Sequence, residues 1–128
     1  MFSVNVSSSP VITVAGSKHQ VQYAVDGSFM NPLEAFYATL AGCAAVYAKK
    51  ACKAQGVSPD GIRIECKPFA GPGGPLTLAR FRTEVQFPED FPAEHKAAVI
   101  ATIAGCAVKE IVAGGAAIEF SVAEACTA

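Results

Sequence analysis

The sequence has no tryptophan, no CxxC pair, only two histidines and no arginine before Arg63. Charge is scarce as well. Lys, Arg, Asp and Glu make up 16% of the 128 residues, against about 25% in an ordinary soluble domain, and the formal net charge is −1. Without a basic block the chain lacks the electrostatic footprint of a nucleic-acid binder, so no nucleic-acid partner is expected. His19 and His95 lie far along the chain from any cysteine, which argues against a structural zinc site. Met1–Val6 has neither a basic stretch nor an apolar one, so no signal peptide is expected there. The longest uncharged apolar stretch, Ala35 to Ala48, is too short for a bilayer core of about 30 Å, and no membrane association is expected. Five cysteines, an odd number, then read as reduced thiols of a cytoplasmic protein rather than as a disulfide framework.

What the chain does have is apolar residues, 52% of the total. A lone domain of this length has much surface to cover, and so few charges cover it thinly. Part of that surface is therefore expected to lie against a partner subunit.

The length fits one domain over residues 1–128. Phe2, Val4 and Val6 alternate with polar residues, Val11 to Val14 is β-branched, and Val21, Tyr23 and Val25 alternate again, predicting three strands before Asp26-Gly27. Asn31 then suits an N-cap, Pro32 the first helical position, and Glu34 the acid of a capping box. Leu33, Phe36, Leu40, Cys43, Tyr47 and Ala51 repeat at three- and four-residue steps, predicting the buried face of a helix to about Gln55, ended by Gly56.

Gly61–Phe69 and Leu76–Phe87 read as strands joined at a glycine- and proline-rich tip. Asp90-Phe91-Pro92 opens a second helix that runs to Gly114-Gly115, and Ala116–Val122 reads as a last strand. The order β-β-β-α-β-β-α-β, with strands in runs and helices singly, predicts an α+β fold of two central helices on mostly antiparallel sheet. Leu40-Ala41-Gly42-Cys43-Ala44 and Ile103-Ala104-Gly105-Cys106-Ala107 are near copies, each read as the middle of a helix, with small residues that let two backbones approach closely.

Asn31-Pro32-Leu33-Glu34 followed by Gly42-Cys43, with a second cysteine, Cys106, in a later helix, resembles the OsmC-like (organic hydroperoxide resistance) family, and specifically its Pro-x-Glu branch. The element order resembles it too, so the likeness covers nearly the whole chain. It implies an interlocked homodimer with the site at its interface. It also implies a peroxidase in which Cys43 attacks an organic hydroperoxide and Cys106 resolves the sulfenic acid as a disulfide. A dithiol or small thiol then reduces that disulfide, and no metal or organic cofactor takes part.

On position alone Cys43 reads as a small buried hydrophobe; the matching context of Cys106 turns the reading to a redox pair. The resemblance also implies an arginine from the N-terminal strands, paired with a glutamate at the helix start and acting on the attacking thiol. Glu34 is the candidate glutamate, although nine residues before Cys43 it points about 180° away and suits a capping acid better. The candidate cations are Lys18, His19, Arg80 and Arg82, while Lys109 and Glu110 lie one turn beyond Cys106. Cys52, Cys66 and Cys126 are assigned no role, and Phe36, Tyr37, Tyr47 and Phe69 read as core. The rival reading is an OsmC-like dimer that binds a small apolar or thiol-reactive ligand without turnover.

Overall fold

The computed structural model describes residues 1–123, with side chains described for all but 75–79. Cys126 lies outside the described residues.

Three short strands come first: β1 (Ser3–Val4), β2 (Val11–Ala15) and β3 (Gln20–Ala24), forming an antiparallel sheet in sequence order. Val14 lies opposite Val21 and Ile12 opposite Tyr23, so apolar residues of the two longer strands pair across the ladder. Only Ala24 of this sheet is buried. The alternation at Phe2, Val4 and Val6 yields just two residues of strand, Ser3 and Val4, paired with Ala15 and Val14.

α1 (Pro32–Gln55) begins and ends where its sequence signals lie. Asn31 accepts the Glu34 N–H at 2.9 Å, and its side-chain amide donates to Glu34 Oε1 at 3.1 Å, satisfying a free donor of the first turn. Gly56 closes the helix in the left-handed region at φ 68°, which glycine adopts without cost.

The hairpin β4 (Arg63–Gly71) and β5 (Gly74–Gln86) follows, antiparallel, with Ile64 opposite Val85 and Cys66 opposite Thr83. α2 (Ala93–Ala104) and α3 (Ala107–Gly114) complete the described elements. No single helix among the described residues is long and apolar enough to cross a membrane.

The α+β, mostly antiparallel architecture is as expected, but three details differ. The second helix is two helices, bent by 48° at a break formed by Gly105 and Cys106. Cys106 has extended backbone, φ −64° and ψ 148°, and is the N-cap of α3, not a mid-helix residue. The physical reason is that Gly105 is a weak helix former at the end of a β-branched run, where continuing the helix gains little. Residues 116–122 form no strand. Ile118 and Phe120 alternate as a strand should, yet both side chains are exposed and the segment meets no sheet edge with which to share a ladder.

The buried face of α1 is also rotated from the expected one. Leu33 and Phe36 are exposed, and the buried row is Leu40, Ala44, Ala48, Ala51 and Cys52. Against Ala44, Ala48, Ala51 and Cys52 pack Val99 and Ile103 of α2, with Phe91 capping the cluster. Alanines therefore make the close helix approach. Gly42 and Gly105 do not, since a Cβ on Gly42 would meet open space and one on Gly105 only ordinary contact. Nothing in the structure explains Gly42.

Cys52 has no exposed surface, and burial pushes its thiol above the ordinary 9.0. A thiol raised in the folded state contributes stability at pH below its unfolded value and loses it as pH rises through the folded one. Cys52→Ser puts an unpartnered hydroxyl into this core and is expected to cost about 1–3 kcal/mol at neutral pH. The variant should also lose less further stability than wild type between about pH 8 and about pH 10. Urea unfolding at both values checks this; a variant as stable as wild type would refute the core assignment.

Candidate functional site

α1 presents Leu40, Cys43 and Ala44 on adjoining turns, and packing of its alanine row on α2 sets the joint between α2 and α3 beside them. The Cys43 and Cys106 thiols are thereby brought close enough to influence one another's ionisation. Cys106 is buried and Cys43 partly so, and both are free thiols. Burial pushes the Cys106 thiol up, and the neighbouring Cys43 thiol pushes it further. The Lys109 backbone N–H and ammonium charge pull it down but do not outweigh burial. That N–H stands near the sulfur without closing a cap hydrogen bond.

Cys106 also lines a cavity of about 250 Å³. Leu40 and Ala44 of α1 form one wall, and Cys66 of β4 with Phe81 and Thr83 of β5 form a second. Ile103 and Ala104 of α2 with Lys109, Val112 and Ala113 of α3 complete it. The lining is mostly apolar, and Lys109 is its one charged residue. Phe81 stands between Phe36 and Tyr37, with ring centroids 5.9 Å and 5.8 Å away, in edge and tilted contacts. Phe36, Tyr37, Tyr47 and Phe69 are thus not core: Phe36 is exposed and the other three only partly buried.

Glu34 is not brought to the thiols. It lies about 14 Å along α1 from Cys43, is bonded to Asn31, and borders a different cavity, with Asn31, Ser28 and Met30. The candidate cations are spent elsewhere. Arg80 stacks over Phe69 at 4.5 Å and Arg82 pairs with Glu84 at 3.3 Å. Lys18 and His19 are exposed between β2 and β3. Among the described residues no group of three or more His, Cys, Asp or Glu is placed to hold a metal ion.

Sequence reasoning missed Cys66. Its one legible signal is its place on an inward-facing strand position, two residues after Ile64.

The sequence profile of a family described as OsmC-like protein matches residues 25–121. No curated protein sequence matches the chain significantly. The fold is similar to the crystal structure of an OsmC-like protein from Mycoplasma pneumoniae, with a TM-score of 0.71 at 12% identity, covering 90% of this chain and 87% of that one. It is also similar to a protein from Psychrobacter arcticus described as osmotic stress induced and of the detoxification response, with a TM-score of 0.69 at 12% identity over 85% of each chain.

Limiting iodoacetamide at neutral pH should alkylate Cys43 and Cys66 before Cys106 and Cys52, because the latter pair is buried and raised in pKa. Peptide mass mapping at partial labelling reads the order. Early modification of Cys106 would contradict its place beneath Cys43.

Proposed function

We propose that this chain, which belongs to the OsmC-like protein family, is a thiol-dependent peroxidase of organic hydroperoxides, with Cys43 attacking and Cys106 resolving. The observation that carries the reading is the juxtaposition of the two thiols beside an apolar cavity. Cys106, buried and raised in pKa, keeps its proton, which leaves the less buried Cys43 as the nucleophile.

The Cys43 thiolate attacks the outer peroxide oxygen and the O–O bond breaks. The alkoxide takes a proton and leaves as the alcohol, and Cys43 becomes a sulfenic acid. Cys106, deprotonated in turn, attacks the Cys43 sulfur, the S–O bond breaks, and water leaves as the disulfide forms. Lys109 serves the resolving thiol, since its ammonium and N–H lower the Cys106 pKa against burial and ease that second deprotonation. The apolar lining accepts the organic part of the hydroperoxide. A dithiol or small thiol then returns both cysteines to the thiol state, with no cofactor. Glu34 serves the start of α1 rather than the chemistry. Free thiols of this kind suit a reducing compartment, and the cytoplasm is the proposed location.

The working unit of this proposal is a homodimer. The chain exposes 9633 Å² where a compact monomer of its mass exposes about 6,400 Å². Leu33, Phe36 and Val46 of α1, Ile111 of α3, and Ile118 and Phe120 beyond it are all exposed. A second copy is the occupant that would cover such a surface.

Intact mass after a stoichiometric organic hydroperoxide tests the chemistry. Wild type should lose two hydrogens. Cys106→Ser should accumulate a trappable sulfenic acid on Cys43, and Cys43→Ser should not react. Unreacted wild type would sink the peroxidase reading and favour binding of a small apolar or thiol-reactive ligand. Light scattering at micromolar concentration should give twice the chain mass; a monodisperse monomer would refute the dimer.

A further inference from the structure

We propose that Cys66 is a third member of the thiol system and takes the disulfide over from Cys43 by exchange at Cys106. This inference rests on the peroxidase reading and extends it. Three observations carry it, and none concerns the Cys43–Cys106 contact alone.

The first is placement. Cys66 and Cys106 are the two sulfur-bearing residues in the described wall of the cavity, one from β4 and one from the α2–α3 joint. Cys43 neighbours Cys106 but does not line that wall. Cys106 therefore has a thiol partner on α1 and faces the same space as a second thiol on the sheet. Cys66 reaches that space because it shares a strand face with Ile64 and lies opposite Thr83, which also lines the cavity.

The second is freedom to move. Cys43 lies in the middle of a 24-residue helix whose next residue, Ala44, is locked in the core. Cys106 lies between two helices with extended backbone, directly after Gly105, and leads into α3, none of whose residues is buried. A sphere of the cavity's volume is about 8 Å across, and a disulfide needs Cα atoms within about 4.4–6.8 Å, so the exchange requires the joint to swing inward. Cys106 is the residue of the three built to do so.

The third is access. The first disulfide joins the partly buried Cys43 to Cys106, which is only 3% exposed. Passing it to the cavity wall places one sulfur on Cys66, which is partly buried like Cys43 but lines the cavity, with open space beside it for an incoming thiol.

The step balances without an added oxidant. The Cys66 thiolate attacks the Cys106 sulfur, the Cys66–Cys106 bond forms and the Cys43–Cys106 bond breaks. The electron pair leaves with Cys43, which regains the proton that Cys66 gave up. Cys43 is then free to meet another hydroperoxide while the disulfide waits for its dithiol reductant.

Two arms test it, both read by peptide mapping, since Cys43, Cys66 and Cys106 fall in different tryptic peptides. In the first, wild type receives stoichiometric hydroperoxide and is quenched by acid over time. A Cys43–Cys106 link should form first and decline as a Cys66–Cys106 link rises, and Cys66→Ser should stop at the first link. In the second, Cys43→Ser is treated with diamide, which joins neighbouring thiols without peroxide, and a Cys66–Cys106 link should form. Reduction of the oxidised protein by a dithiol should be several-fold slower in Cys66→Ser. A Cys43–Cys106 bond that persists in wild type and never passes to Cys66 overturns the relay alone. Absence of any Cys43–Cys106 bond after hydroperoxide overturns the peroxidase reading, and the relay falls with it.

Discussion

The close approach of α1 and α2 through small side chains is the interaction on which the rest of the structure depends. Ala44, Ala48, Ala51 and Cys52 turn a nearly flat face toward Val99 and Ile103, and such a face lets two helices pack at the near end of the usual 8–10 Å interaxial range. Larger residues on that row would push α2 outward and carry the joint after it away from Cys43. The contact between the two thiols is thus a consequence of packing several residues away from either of them.

The same economy makes the core thin. Only ten apolar residues are buried among those described, several of them alanines that remove little area from water. The N-terminal sheet contributes Ala24 alone. Such a core has little stability to spare. A chain built this way leaves apolar side chains along α1, α3 and the segment after it facing solvent. That imbalance is the physical basis for proposing a second copy, and it agrees with the scarcity of charge in the sequence.

At the site, burial and charge act against one another. Desolvation and the neighbouring Cys43 push the Cys106 thiol up, and Lys109 opposes them. Two cysteines of similar local sequence sit in different settings, one inside a continuous helix and one at a break. The cavity beside them adds a third thiol on a strand whose period-2 pattern is legible without revealing what it faces.

Much of the local structure was legible in the residues themselves. Asn31, Pro32, Glu34 and Gly56 mark the ends of α1 because capping and left-handed backbone are satisfied by near neighbours. The β2–β3 and β4–β5 pairings follow from alternation and turn residues for the same reason. The motif around Asn31 and Cys43 pointed to the family that the profile match shows. Other features needed partners distant in sequence. Leu40-Ala41-Gly42-Cys43-Ala44 and Ile103-Ala104-Gly105-Cys106-Ala107 are nearly identical, yet the first stays helical and the second breaks, because a long packed helix outweighs a glycine that a helix end does not. The rotation of α1, the failure of residues 116–122 to become a strand, and the arrival of Cys66 and Lys109 at one cavity were likewise decided in three dimensions. Propensity and capping are short-range and can be read along the chain, whereas burial, ladder pairing and the pKa of a thiol depend on what the fold brings alongside.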